Sequence, residues 1–261
     1  MSLLAWIITF SIIGGALSVL AAGLFLLVPQ AKRSALLPHM VSFAIGALLG
    51  AAFLGLLPHA LSSQYVTDVH TITQTTLVGI LTFFVLEKLV LWRHCHAIEC
   101  EVHGSDDHHH DHIAPAGSLV LLGDAVHNFV DGILIAAAFM TDIHLGIVTA
   151  LAVAAHEIPQ EVGDFAILLE SGFSRGKAFL FNILASLTTV LGALLAYFSL
   201  QTVEALVPYV LAVAASSFIY VAVADLIPGL HKRTEVSESV RQIVLIASGV
   251  FVIYFAHSQL H

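Results

Sequence analysis

Hydrophobic positions along the chain fall in eight long blocks separated by short polar joints. The blocks cover about residues 3–28, 38–61, 73–92, 117–140, 145–171, 176–200, 208–230 and 240–258. A helix needs roughly 20 apolar residues to cross a bilayer. The bilayer core offers backbone groups no water, so blocks of this length cross it as helices. The pattern predicts an all-α polytopic membrane protein with eight transmembrane helices, spans 1 to 8. Only a few residues around Asp142 separate blocks 4 and 5, so spans 4 and 5 form a central antiparallel pair. Block 1 has neither a basic leader nor a small-residue cleavage site, and it reads as a retained span.

One joint is long. Residues 94–115 read HCHAIECEVHGSDDHHHDHIAP, with no apolar period. Such a stretch is expected to be a flexible loop when empty. It divides the chain into residues 1–93 with spans 1–3, the His-rich loop 94–115, and residues 116–261 with spans 4–8. His94, Cys95, His96, His108, His109, His110 and His112 are ligand types for weakly specific metal capture; a solvated linker is the plainer alternative. The two cysteines, Cys95 and Cys100, share this loop and do not make a disulfide framework.

Composition sharpens the class. Apolar residues make up 58 % of the chain and charged residues 10 %, against about a quarter charged in a soluble domain. A lipid bilayer is the expected partner, and a nucleic acid is not. Charge also sets orientation. With eight spans, Lys32, Arg33, Lys88, Arg93, Arg175, Lys177, Lys232, Arg233 and Arg241 all fall on one side, while Asp68, Asp142 and Glu204 fall on the other. The positive-inside rule makes the basic side cytoplasmic. Both termini are then outside and the His-rich loop is cytoplasmic.

Spans 2 and 7 run in opposite directions and align weakly. Ala44, Ala52, Leu56 and Pro58 match Ala214, Ala222, Leu226 and Pro228. This suggests an inverted repeat of spans 1–3 and 6–8 around the central pair, a plan used by secondary transporters. Two membrane helices that happen to end at a proline are the alternative.

Polar residues inside spans 4 and 5 change the picture most. Asp124, His127, Asn128, Asp131, His156, Glu157, Gln160, Glu161 and Asp164 interrupt otherwise apolar helices. An ionisable group at membrane depth is a functional candidate by default. No Lys or Arg lies close in sequence, so metal ions or protons must neutralise them. His127 and Asp131 are four apart and share a helix face, as do His156 and Gln160. Folding the pair at residues 142–143 brings 127 level with about 158 and 131 with about 154. His127, Asn128, Asp131, His156, Glu157 and Gln160 then meet near mid-membrane. Mixed nitrogen and oxygen donors suit zinc and its first-row neighbours. Pro159 predicts a kink that offers backbone oxygen. Asp124, Glu161 and Asp164 fall nearer the basic side, as an exit route, a proton acceptor or protonated structural groups. Asn182 and Ser186 in span 6 read as helix–helix hydrogen bonding.

These residues resemble the Zrt/Irt-like (ZIP) metal transporter family. The motifs are HNFVDG at 127–132, preceded by Gly123 and Asp124, and HEIPQEVGDFAIL at 156–168. They are most similar to the branch whose fifth helix reads HEIPHELGDFA. Weaker likeness extends through spans 2, 3, 6 and 7. The resemblance implies eight helices, and zinc or a related divalent metal carried into the cytoplasm from a site on spans 4 and 5. It implies that His127, Asp131, His156 and Gln160 hold the main metal, with Asn128 and Glu157 beside a second. It also implies a homodimer in which spans 1, 4, 5 and 6 slide against a scaffold. Three departures matter. Gln160 stands where the branch has histidine, span 6 lacks a glutamate that some members use, and Ala51 and Gly55 replace residues that can be polar.

The expected function is secondary transport of divalent metal. Zinc is the substrate rather than a cofactor, and Cd²⁺, Fe²⁺ and Mn²⁺ are competitors. The expected place is a plasma membrane or bacterial inner membrane. Two other classes are the alternatives. An intramembrane zinc hydrolase would want HExxH, and residues 156–160 lack its second histidine. A membrane metal sensor without transport would lean on the His-rich loop.

Overall fold

The computed structural model describes residues 1–99, 114–231 and 235–259, and every regular element among them is helical. Span 1 is α1 (Leu3–Gly14) and α2 (Ala16–Phe25), broken at Gly15. Span 2 is α3 (Gln30–Gly50), a π-helical segment (Ala51–Leu56) and α4 (Leu57–Leu61). Span 3 is α5 (Val69–Glu99). The central pair is α6 (Ala114–Thr141) and α7 (Ile143–Glu170). Span 6 is α8 (Arg175–Ser186) and α9 (Thr188–Leu200), broken at Leu187. Span 7 is α10 (Val207–Tyr220), a second π-helical segment (Val221–Leu226) and α11 (Ile227–Leu230). Span 8 is α12 (Val236–Gln259).

Seven helical stretches among the described residues are long and apolar enough to cross a membrane. The chain is thus a polytopic α-helical membrane protein. The 28 residues of α7 match them in length, about 42 Å at 1.5 Å per residue, but its second half carries Glu157, Glu161 and Asp164. Outward-facing residues fit the class. On α5 and α12, Leu77, Leu81, Phe84, Ile243, Phe251 and Phe255 are exposed, the reverse of a water-soluble helix.

Several boundaries differ from expectation. Helix α3 begins at Gln30 and runs through Pro38. The proline has no N–H to give back along the helix, and the turn before it, around Ser34, is exposed. Helix α5 continues through residues 94–99, the first part of the expected loop. No Gly or Pro interrupts the sequence between Gly79 and Gly104, so nothing stops the helix at the membrane surface. His108, His109, His110 and His112 lie outside the described residues.

The two π-helical segments are equivalent, the second lying 170 positions after the first. In each, the last bond is five residues long: Leu57 N–H donates to Ala52 and Ile227 N–H to Ala222. The next residue is Pro58 or Pro228. A proline has no N–H, so the ladder returns to its ordinary register there without stranding a donor. The packing repeats with the same offset. A Cβ on Gly79 of α5 would meet Ser216 and Val213 of α10. A Cβ on Gly249 of α12 would meet Gly46 and Phe43 of α3. The two breaks in spans 1 and 6 also meet, since a Cβ on Gly15 would lie 2.7 Å from the Ser186 carbonyl oxygen.

Candidate metal centre

Local features fix the α6–α7 hairpin. Asp142 caps α7, its carboxylate accepting from the His144 and Leu145 N–H groups at 2.8 and 3.0 Å. Gly146 faces the Phe139 ring, where any Cβ would collide at 2.2 Å. On its other side α6 meets α9 backbone to backbone. A Cβ on Gly132 would fall 1.9 Å from the Thr189 carbonyl oxygen, and one on Gly192 would fall 2.0 Å from that of Phe129. These close approaches hold the polar faces of α6 and α7 together and bring Thr189 to Asn128.

The hairpin gathers His127, Asp131, His156 and Glu157, one ligand atom of each lying within 4.8 Å of the others. The two Nε2 atoms are 3.2 Å apart. From Asp131 Oδ2 to His156 Nε2 is 3.3 Å, and to His127 Nε2 3.8 Å. From Glu157 Oε1 the corresponding distances are 3.8 and 3.5 Å. Zinc bonds of 2.0–2.1 Å in a tetrahedron put donors about 3.3 Å apart. These five edges, 3.2–3.8 Å long, are therefore within about 0.5 Å of those of a filled tetrahedral site.

Chemistry agrees with geometry. His156 Nδ1 lies 3.1 Å from the Ala152 carbonyl oxygen, which can only accept. Nδ1 therefore carries the proton, and in the neutral ring Nε2 turns its lone pair into the cluster. Asp131 and Glu157 are 1 % and 0 % exposed, and neither makes a hydrogen bond through either carboxylate oxygen. Groups buried this way are ordinarily hydrogen-bonded or bound to a cation. His127, 22 % exposed, is the open side of the cluster.

Glu157 also belongs to a second group with Asp124 and Glu161, again within 4.8 Å. One carboxylate thus joins what the sequence reading divides into two sites. Asn128 is buried and stands beside this second group. Its Nδ2 donates to Asp124 Oδ1 at 2.8 Å and its Oδ1 accepts from Thr189 Oγ1 at 2.8 Å. Asn128 therefore orients Asp124. Gln160 and Asp164 are half-buried, one turn beyond His156 and near Glu161 along α7, and Asp164 is in neither compact group. Pro159 lies inside α7, which stays helical on both sides of it. Ser186 donates to Ile183 within its own helix rather than across helices, and Asn182 Oδ1 is buried without a hydrogen bond. Sequence reasoning missed Thr189, because threonine is unremarkable in an apolar helix. It also missed the hydrogen bond from the Tyr220 hydroxyl to Glu87.

Residues 93–257, well over half the chain, match the profile of the ZIP zinc transporter family. The chain belongs to the ZIP family. Zinc transporter ZIP13 of Pongo abelii is 33 % identical over 228 residues, spanning 83 % of this chain and 65 % of its own length. ZIP13 of Danio rerio is 31 % identical over 292 residues, spanning 91 % and 84 %. Zinc transporter ZIP10 of Danio rerio is 39 % identical over 137 residues, spanning 50 % and 16 %. The chain thus spans about two thirds of the length of the first of these relatives. In this ZIP protein the family match contains both helices that carry the cluster.

Proposed function

We propose that this ZIP protein is a secondary transporter that carries Zn²⁺ through a site on α6 and α7. The observation that carries the reading is the near-tetrahedral set of His127, Asp131, His156 and Glu157, with carboxylates that have no other partner. The imidazoles and carboxylates take the ion from its water shell. Glu157, shared by both groups, hands it toward Asp124 and Glu161, with Asp164 further along the same route. Asn128 keeps Asp124 aimed at that handover, and Gln160 offers a weak amide oxygen at the edge of the first group. Cd²⁺, Fe²⁺ and Mn²⁺ fit the same donors less selectively. The ZIP13 and ZIP10 relatives are named zinc transporters, which favours transport over hydrolysis or sensing.

The finer architecture belongs to the same proposal. The protein has eight spans, α7 being the most polar. Spans 1–3 and 6–8 are an inverted repeat, supported by the constant offset of 170 between the π-helical segments and between the glycine contacts. The basic side is cytoplasmic, both termini are outside, and transport runs inward. The protein acts as a homodimer in which spans 1, 4, 5 and 6 move against the scaffold. The loop at 94–115 captures metal but is not needed for passage.

Purified protein in vesicles loaded with a Zn²⁺-sensitive dye provides the test. Zinc-dependent flux above that of empty vesicles is expected, and its absence would end the transport reading. Deleting residues 94–112 is expected to leave most of the flux intact. A complete loss would make the loop part of the pathway.

A further inference from the structure

A cavity of about 760 Å³ opens between α2, α7 and α8 at the basic end of the molecule. Its walls are apolar, with Leu20, Leu24, Phe165 and Phe179 among them. Leu20 and Leu24 are 45 % and 67 % exposed, so the cavity is open along its flank. Arg33 and Arg175 stand in its lining. Its lining includes no acidic residue, and no carboxylate pairs with either arginine among the described residues. The Nε of Arg33 is buried and makes no hydrogen bond.

An apolar slot with two guanidinium groups is complementary to a molecule that has hydrocarbon at one end and an anionic phosphate at the other. Guanidinium meets phosphate through paired N–H donors, and basic pockets between membrane helices suit lipid head groups. We propose that this cavity is a specific site for one anionic phospholipid from the leaflet on the basic side. An acyl chain lies against Leu20 and Leu24, and the head-group phosphate is held between Arg33 and Arg175. Arg33 is on α3 and Arg175 on α8, so the head group ties span 2 to span 6. The metal-binding residues take no part in the site.

Native mass spectrometry of the full chain, delipidated and then titrated with phosphatidylglycerol or phosphatidylcholine, tests the proposal. One phosphatidylglycerol is expected to be retained in preference to phosphatidylcholine. The Arg33→Ala/Arg175→Ala variant should bind it roughly 30-fold more weakly, at about 1 kcal/mol per basic contact. Leu20→Trp fills the slot and leaves both charges in place; it should also lose retention, and it decides the question if the double variant does not fold. Arg241→Ala removes a basic residue that pairs with Glu238 instead, and it should retain the lipid. Inorganic phosphate at millimolar concentration should not displace the lipid. Equal retention of both lipids, full retention by Leu20→Trp, or displacement by phosphate alone would overturn the proposal.

Discussion

The α6–α7 hairpin and the α3–α12 pair use their interiors in opposite ways. Between α3 and α12 the contact is made by absence of side chain, with Gly46 against the Ile246 carbonyl and Gly249 against that of Phe43. Nothing there needs a ligand, because the small residues satisfy the packing by themselves. Between α6 and α7 lie Asp131 and Glu157, carboxylates with no hydrogen bond, set beside two imidazoles and in no ion pair with Lys or Arg among the described residues. Such groups cost about 2.5 kcal/mol or more each at membrane depth, and nothing in the packing offsets that. One region is complete as it stands; in the proposed function the other is completed by a cation. Substitutions should therefore split cleanly between those that hurt folding and those that hurt metal handling.

The largest effect is expected in the hairpin. Losing even the partner that orients a metal ligand lowers affinity about 10–100-fold, so His156→Ala should take zinc flux to background. Asp131→Asn sharpens the contrast. It replaces a buried carboxyl group that has no hydrogen bond, so the metal-free protein should melt no lower than the original and above it if repacking is good. Zinc should no longer raise its melting temperature, a shift worth about 2.7 kcal/mol for the original protein at a hundredfold excess over Kd. A zinc-dependent shift that survives Asp131→Asn would remove Asp131 from the site. Gly46→Ala is the counterpart. Its Cβ would fall 2.0 Å from the Ile246 carbonyl oxygen, and overpacking of this kind destabilises by about 1–3 kcal/mol. Zinc flux per folded molecule should be unchanged. If flux falls while the melting temperature holds, the two regions are not separable.

Legibility follows the same division. The hairpin was readable because ionisable residues at helical spacing have no reason to be in an apolar span. His127, Asp131, His156 and Glu157 come together as their spacing requires. Side-chain detail was not readable. Whether Asn128 faces the ion or Asp124 depends on which donor is nearer, and Thr189 decides it from a helix some sixty residues away. The glycine pairs were visible only as small residues, since a sequence does not say which carbonyl lies opposite. The π-helical segments left only a weak mark, the matches of Ala52, Leu56 and Pro58 with Ala222, Leu226 and Pro228, and the prolines alone read as helix ends. Pro159 shows the converse, a proline whose helix continues.

Gln160 offers a smaller test at the edge of the hairpin. It is half-buried and lies four residues beyond His156 on the same face. Gln160→His restores the imidazole of the related branch and should tighten zinc binding relative to Mn²⁺, since imidazole suits zinc better than an amide oxygen does. Competition between the two metals in the flux assay measures it. An unchanged ratio would mean that Gln160 never reaches the ion.

The smallest effect belongs to the turn that joins the two central helices. Burial pushes the Asp142 carboxyl up, but the N–H groups of Leu145 and His144, then the imidazoles of His144 and His59, outweigh it and hold it below its ordinary value. A carboxylate with a lowered folded pKa adds stability above its unfolded pKa, about 3.9. That stability is lost as pH falls through the folded value. Asp142→Ala removes the cap as well and should cost about 1 kcal/mol at neutral pH. Asp142→Asn keeps a capping oxygen without the charge, so it should stay close to the original at neutral pH and lose less stability below about pH 4. Thermal melts in detergent between about pH 3 and 7 distinguish the two. Because the turn sets the depth at which residue 127 meets 156, Asp142→Ala should also weaken zinc binding slightly, whereas Gly46→Ala should not. Equal zinc affinity in both variants would show that the hairpin holds its register without its cap, through Gly146 and Phe139 alone.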